Sequence, residues 1–63
     1  MYKKVWDVLE HVEDCDHVRI IKNGRCIASG QWYMDCILNY GDRAVRGVDY
    51  DNSGEVDIWN IAI

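Results

Sequence analysis

Residues 49–60 read DYDNSGEVDIWN, and two architectures compete for them. Asp49, Asp51 and Ser53 take the first, third and fifth places of a calcium loop, with Gly54 at the sixth and Asp57 at the ninth. An EF-hand also needs a bidentate Glu at the twelfth place, where this chain has Asn60, and a helix on each side. The residues leading in, RAVRGVDY, instead set Gly47 between β-branched Val45 and Val48, which favours strand. A hairpin accounts for the stretch better. With Asn52-Ser53-Gly54 as a three-residue loop and Gly54 in the left-handed bulge position, Val48, Tyr50, Val56 and Ile58 share one face as a core. Asp49, Asp51, Glu55 and Asp57 gather on the other face, with Trp59 behind them.

Working outward, HVRIIKNGRCIASG (17–30) holds two β-rich runs around Asn23-Gly24. Asn-Gly there demands a type I′ turn, because both central residues need positive φ. A two-residue loop sets Ile20 opposite Ile27 and Ile21 opposite Cys26. Upstream, Val5, Val8, Leu9 and Val12 recur at helical spacing, against Asp7, Glu10 and Glu13, in a helix ending near residues 13–16. SGQWYMDCILNYG (29–41) returns to that spacing through Tyr33, Ile37 and Tyr40, with Ser29 or Gly30 as cap and Gly41 in the left-handed position past its end. The order is α-β-β-α-β-β. This predicts one α+β domain over residues 1–63, a four-stranded antiparallel sheet with both helices on one face.

Sixty-three residues bury little surface, so self-association is an expected source of stability, and a homodimer on the sheet's free face fits. Three cysteines (Cys15, Cys26, Cys36) form no disulfide framework and point to reduced thiols in a cytoplasm. The acidic opening segment lacks the pattern of a secretory signal, and no apolar run is long enough for a membrane span. A net charge of −4 works against direct binding to nucleic acid or anionic lipid. The basic residues look scattered, with Lys22 and Arg25 beside one turn and Arg43 and Arg46 elsewhere.

No reaction is legible. Cys15 and His17 lie in an acidic turn, the opposite of the electropositive setting that activates a nucleophilic thiol. Cys26 and Cys36 fall at apolar positions and read as small buried hydrophobes rather than zinc ligands. Trp6 and Trp32 read as core packing. Ser29 and Ser53 read as a cap and a turn residue. The expectation is a non-enzymatic protein with no cofactor and no resident metal. The acidic hairpin is its partner-binding surface, Asp49, Asp51, Glu55 and Asp57 facing a basic protein and Trp59 serving as a desolvated anchor.

The segments VWDVLEHVEDCDHVRII (5–21), the Asn-Gly hairpin and VRGVDYDNSGEVDIWNI (45–61) resemble, in layout, small accessory proteins of bacteriophages and mobile elements of Gram-positive gut bacteria. That resemblance implies no catalytic residues. It implies an inhibitor of a host defence complex, of the anti-CRISPR kind, acting in the host cytoplasm on a surface meant for nucleic acid. The alternative is a homo-oligomeric structural or regulatory module that uses the free face of its sheet.

Overall fold

The structure, a computed structural model, describes residues 2–63. Its elements are α1 (Val5–Leu9), β1 (His17–Lys22), β2 (Arg25–Gly30), α2 (Asp35–Leu38), β3 (Gly47–Asp51) and β4 (Ile58–Ala62). The α+β class and the element order are as expected. The all-antiparallel sheet is not. The strands lie in the order β2-β1-β4-β3, and the central pair, β1 with β4, is parallel. The reason is the length of chain between β2 and β3. Residues 31–46, through α2, carry the chain back along the whole sheet, so β3 starts at the end where β2 started. Alternation within strands fixes each hairpin, but it does not say which end a crossover reaches.

α1 starts where Asp7 reaches back to accept the backbone N–H groups of Lys4 (2.9 Å) and Lys3 (3.1 Å). Those bonds hold its carboxyl below the usual carboxylate range, and the negative charge suits a helix start. Val5, Val8, Leu9 and Val12 are all buried, as their spacing requires, although the helix closes at Leu9 and Val12 follows in a turn. The second helix is a single turn. Ile37 alone is fully buried, Leu38 and Tyr40 are half-buried against the core, and Tyr33, Met34 and Cys36 are exposed. Cys26 is exposed as well, so neither of these thiols is the buried hydrophobe expected. Gly41 has no positive φ and does not serve as a left-handed cap. It is buried because the Trp6 indole lies over it, where a Cβ would overlap the ring. Trp6 itself stays 40% exposed, so it covers the surface rather than filling the core.

Asn23 and Gly24 both take positive φ, 53° and 78°, the I′ turn that the sequence demands. Ile21 pairs with Cys26, but a bulge moves Ile20 from Ile27 to Ala28 and leaves Ile27 exposed. The terminal hairpin departs further. Asp51 pairs with Ile58 rather than Glu55, a slip of three residues, and residues 52–57 form the loop. An odd slip reverses the faces of β4. Trp59 and Ile61 now lie on the core side, beside Val18 and Ile20 of β1. Ile58, Asn60 and Ala62 take the free side, and Val56 is left exposed in the loop. Gly54 has no positive φ, because no tight bulge forms there. The observed register encloses Ile61 and half-buries Trp59 against the core, where the short loop would have placed Val56 and Ile58, so the larger apolar surface favours it.

This register is testable by truncation. Ile61→Ala should cost about 2–5 kcal/mol in denaturant unfolding, as for a fully buried aliphatic, and Ile58→Ala under about 1.5 kcal/mol. The reverse ranking would restore the short-loop register.

Candidate functional site

The loop and strand ends nearest β1's start bring together residues far apart in sequence. Asp16, 4% exposed, accepts the backbone N–H of Glu13 (3.1 Å) and the indole N–H of Trp59 (3.1 Å). Trp59 stacks on Tyr50, its cross-strand neighbour, with centroids 4.6 Å apart and planes at 29°. The Tyr50 hydroxyl donates to Asp57 Oδ2 at 2.7 Å, and the Asp57 carbonyl accepts the His17 N–H at 2.8 Å. A stacked pair adds attraction beyond the area it buries, and a hydrogen bond to a charged group is stronger than one between neutral groups. These contacts pin the turn at residues 13–16 to the final hairpin. Beside them, the Trp32 indole N–H donates to Asp14 at 2.7 Å.

The five residues expected to form one surface are thereby divided. Asp49 and Asp51 point to the free face of the sheet, Asp49 opposite Asn60. Trp59 points to the core side, with its N–H given to Asp16 and one ring face to Tyr50. Asp57 stands at the strand entrance, bonded to Tyr50, and Glu55 is exposed in the loop. The slip in register is the cause, since the acidic side of β3 no longer coincides with that of residues 55–57. Asp51 is occupied locally. Its Oδ1 accepts the Ser53 hydroxyl (2.7 Å) and backbone N–H (3.0 Å). Those bonds, with Arg19 nearby, hold its carboxyl below the usual range. This ordering of the loop is present above the ordinary carboxylate pKa and is lost as pH falls through the folded value.

What replaces a flat acidic face is an acidic end. Asp57, Asp16 and Glu13 lie beside the Tyr50–Trp59 stack, and Asp14, Asp51 and Glu55 belong to the same end of the strands, in the turn after α1 and the loop between β3 and β4. Tyr50 registers this field. Its pKa is pushed up to about 12, first by the hydrogen bond to Asp57, then by burial and by the charges of Asp57, Asp16 and Glu13. The bases take the opposite pole. Lys22 and Arg25 flank the β1–β2 turn, Lys4 bridges to Ala44, and Lys22, Arg43 and Arg46 line one shallow cavity of about 240 Å³. Asp7 and Asp42 share that pole, and among the described lysines and arginines Arg19 stands outside it. The bases that look scattered along the chain are therefore gathered by the crossover. Tyr50, Asp16 and Asp14 carry no sequence signal of a shared site, because Asp16 is joined to the hairpin by a bond to Trp59, 43 positions away, and Asp14 is bonded to Trp32.

Spectrophotometric titration reads the arrangement directly. Of the four tyrosines, one should ionise near pH 12, and Tyr50→Phe should delete that step. The sign follows from linkage. Tyr50 keeps its proton in the folded state above pH 10 while the unfolded chain loses it, so its contribution is complete below pH 10 and lost between 10 and about 12. Absence of a step near pH 12 would remove the Tyr50–Asp57 bond. Comparison with protein-family models, with curated proteins and with solved structures returned no match.

Proposed function

We propose that this chain is a non-enzymatic interaction protein whose acidic end occupies a basic surface of another protein. The observation behind it is the gathering of carboxylates at one pole, around a stacked aromatic pair, with the bases at the other. Opposed poles orient the molecule in a partner's field before contact, which raises the rate of productive encounter. Tyr50, 47% exposed, supplies aromatic area beside the charge. Carboxylates with an adjacent aromatic face offer the features by which a nucleic-acid-binding surface holds its ligand, namely anions for its Lys and Arg and a ring for stacking. That chemistry supports the partner implied by the resemblance to phage accessory proteins, a host defence nuclease complex, in which the chain takes the place of nucleic acid. Three exposed thiols suit the reducing cytoplasm of such a host.

The set of contact residues follows the observed pole: Glu13, Asp14, Glu55 and Asp57 with Tyr50. Asp49 and Asp51 extend it toward the free face, and Trp59 acts from beneath by holding Tyr50. The test is a charge-matched comparison. Glu13→Lys with Glu55→Lys should abolish salt-sensitive capture of a basic partner from host lysate, and should weaken binding to an immobilised Lys/Arg-rich peptide at least ~tenfold. Glu10→Lys with Asp35→Lys makes the same change in net charge at exposed sites on the two helix segments and should leave both readouts nearly unchanged. Equal losses from the two pairs would reduce the effect to net charge and end the assignment.

A further inference from the structure

Both helices pack on one side of the sheet, and among the described residues no buried cluster forms on the other. That free side is built from three rows across β1, β4 and β3: His17–Ile58–Asp51, Arg19–Asn60–Asp49 and Ile21–Ala62–Gly47. In every row β1 and β3 carry opposite features. A cation faces an anion in the middle row, an imidazole faces a carboxylate in the first, and a bulky aliphatic faces a residue with no side chain in the third. We infer that this face binds a second copy of the chain, face to face, about a two-fold axis running along β4.

Such an axis lays β1 of one copy over β3 of the other and β4 over its own mate. Arg19 then meets Asp49 of the second copy, and His17 meets Asp51. Ile21 enters the space above Gly47, where a shallow hollow of about 360 Å³ is lined by Ile21, Gly47, Val48, Asp49, Asn60 and Ala62. A Cβ built on Gly47 meets nothing within 4 Å, so that space is open in the single chain. Ile58, Asn60 and Ala62 lie on the axis and meet themselves. An interface related by a two-fold must be self-complementary in this way, each β1 feature answered on β3. Aligned sheets pack about 10 Å apart, a gap that an arginine and an aspartate span together. Three overlapping strands offer a patch of roughly 14 by 17 Å, well below the area of a standard interface, so its strength rests on the paired charges. Association is therefore expected in the high-micromolar range. The inference shares Asp49 and Asp51 with the acidic end but does not depend on that end's binding a partner.

Sedimentation equilibrium over that concentration range tests it. The wild-type chain should approach twice its 7.4 kDa mass. Gly47→Ile puts a branched side chain into the hollow, its Cβ in open space, and should stay at the single-chain mass with an unchanged circular dichroism spectrum. R19D and D49R, each alone, should weaken association at least ~tenfold. Their equimolar mixture should recover it, because each new charge finds its opposite across the axis. R19D shifts the net charge from −4 to −6 and D49R from −4 to −2, so the mixture has no overall attraction to account for recovery. A wild-type chain at single mass throughout, a Gly47→Ile variant that still doubles, or a mixture that stays apart would each overturn the inference.

Discussion

The hydrogen bond from Trp59 to buried Asp16 is the constraint on which most of the architecture rests. It joins positions 43 residues apart, the turn after the first helix and the last strand. A carboxylate at 4% exposure is tolerable only if donors surround it, and two neutral N–H groups supply that need. With Trp59 held there, β4 is fixed beside β1, Ile61 falls next to Ile20, and the core closes over Val5, Val8 and Ile37. In so small a chain no second core can compensate, so loss of this bond exposes the central strand pairing itself.

Local features of the sequence proved reliable where short-range physics decides. Asn23-Gly24 has no comfortable alternative to a I′ turn, and the valine and leucine spacing of the first helix matches its buried side residue for residue. The hairpin at 47–62 is legible as strands for the same reason, since glycine and β-branched residues oppose the helices a calcium loop would need. Its register was not. Alternation permits any odd or even slip, and the deciding energy came from partners outside the hairpin: Asp16, Val18 and Ile20. The parallel central pair was equally hidden, because it depends on how far residues 31–46 travel. The expected acidic face failed with the register that defined it. Its charges remain, distributed between the free face and the pole.

The same topology explains the charge separation. Each strand has one end at the acidic pole and one at the basic pole, and the two hairpins are anchored in parallel through their inner strands. Had the sheet been antiparallel throughout, the second hairpin would have been inverted. Its acidic loop, 52–57, would then have fallen beside Lys22 and Arg25, and the poles would have neutralised each other. The polarity is therefore a consequence of the crossover, and sequence charge patterns carry no trace of it.

Polarity and the free face are geometrically linked. A two-fold axis parallel to β4 leaves strand direction unchanged between copies, so the acidic poles of two chains would lie side by side and point the same way. An axis perpendicular to the strands would oppose them. Two adjacent acidic poles repel, which weakens the pair when it is free in solution. A basic partner spanning both would remove that repulsion and gain a second attachment at high effective concentration. Partner binding and self-association would then strengthen each other by the same factor, as linkage requires. A face too small to hold a permanent dimer is suited to that coupling, because a tightly formed pair would leave the partner no equilibrium to shift.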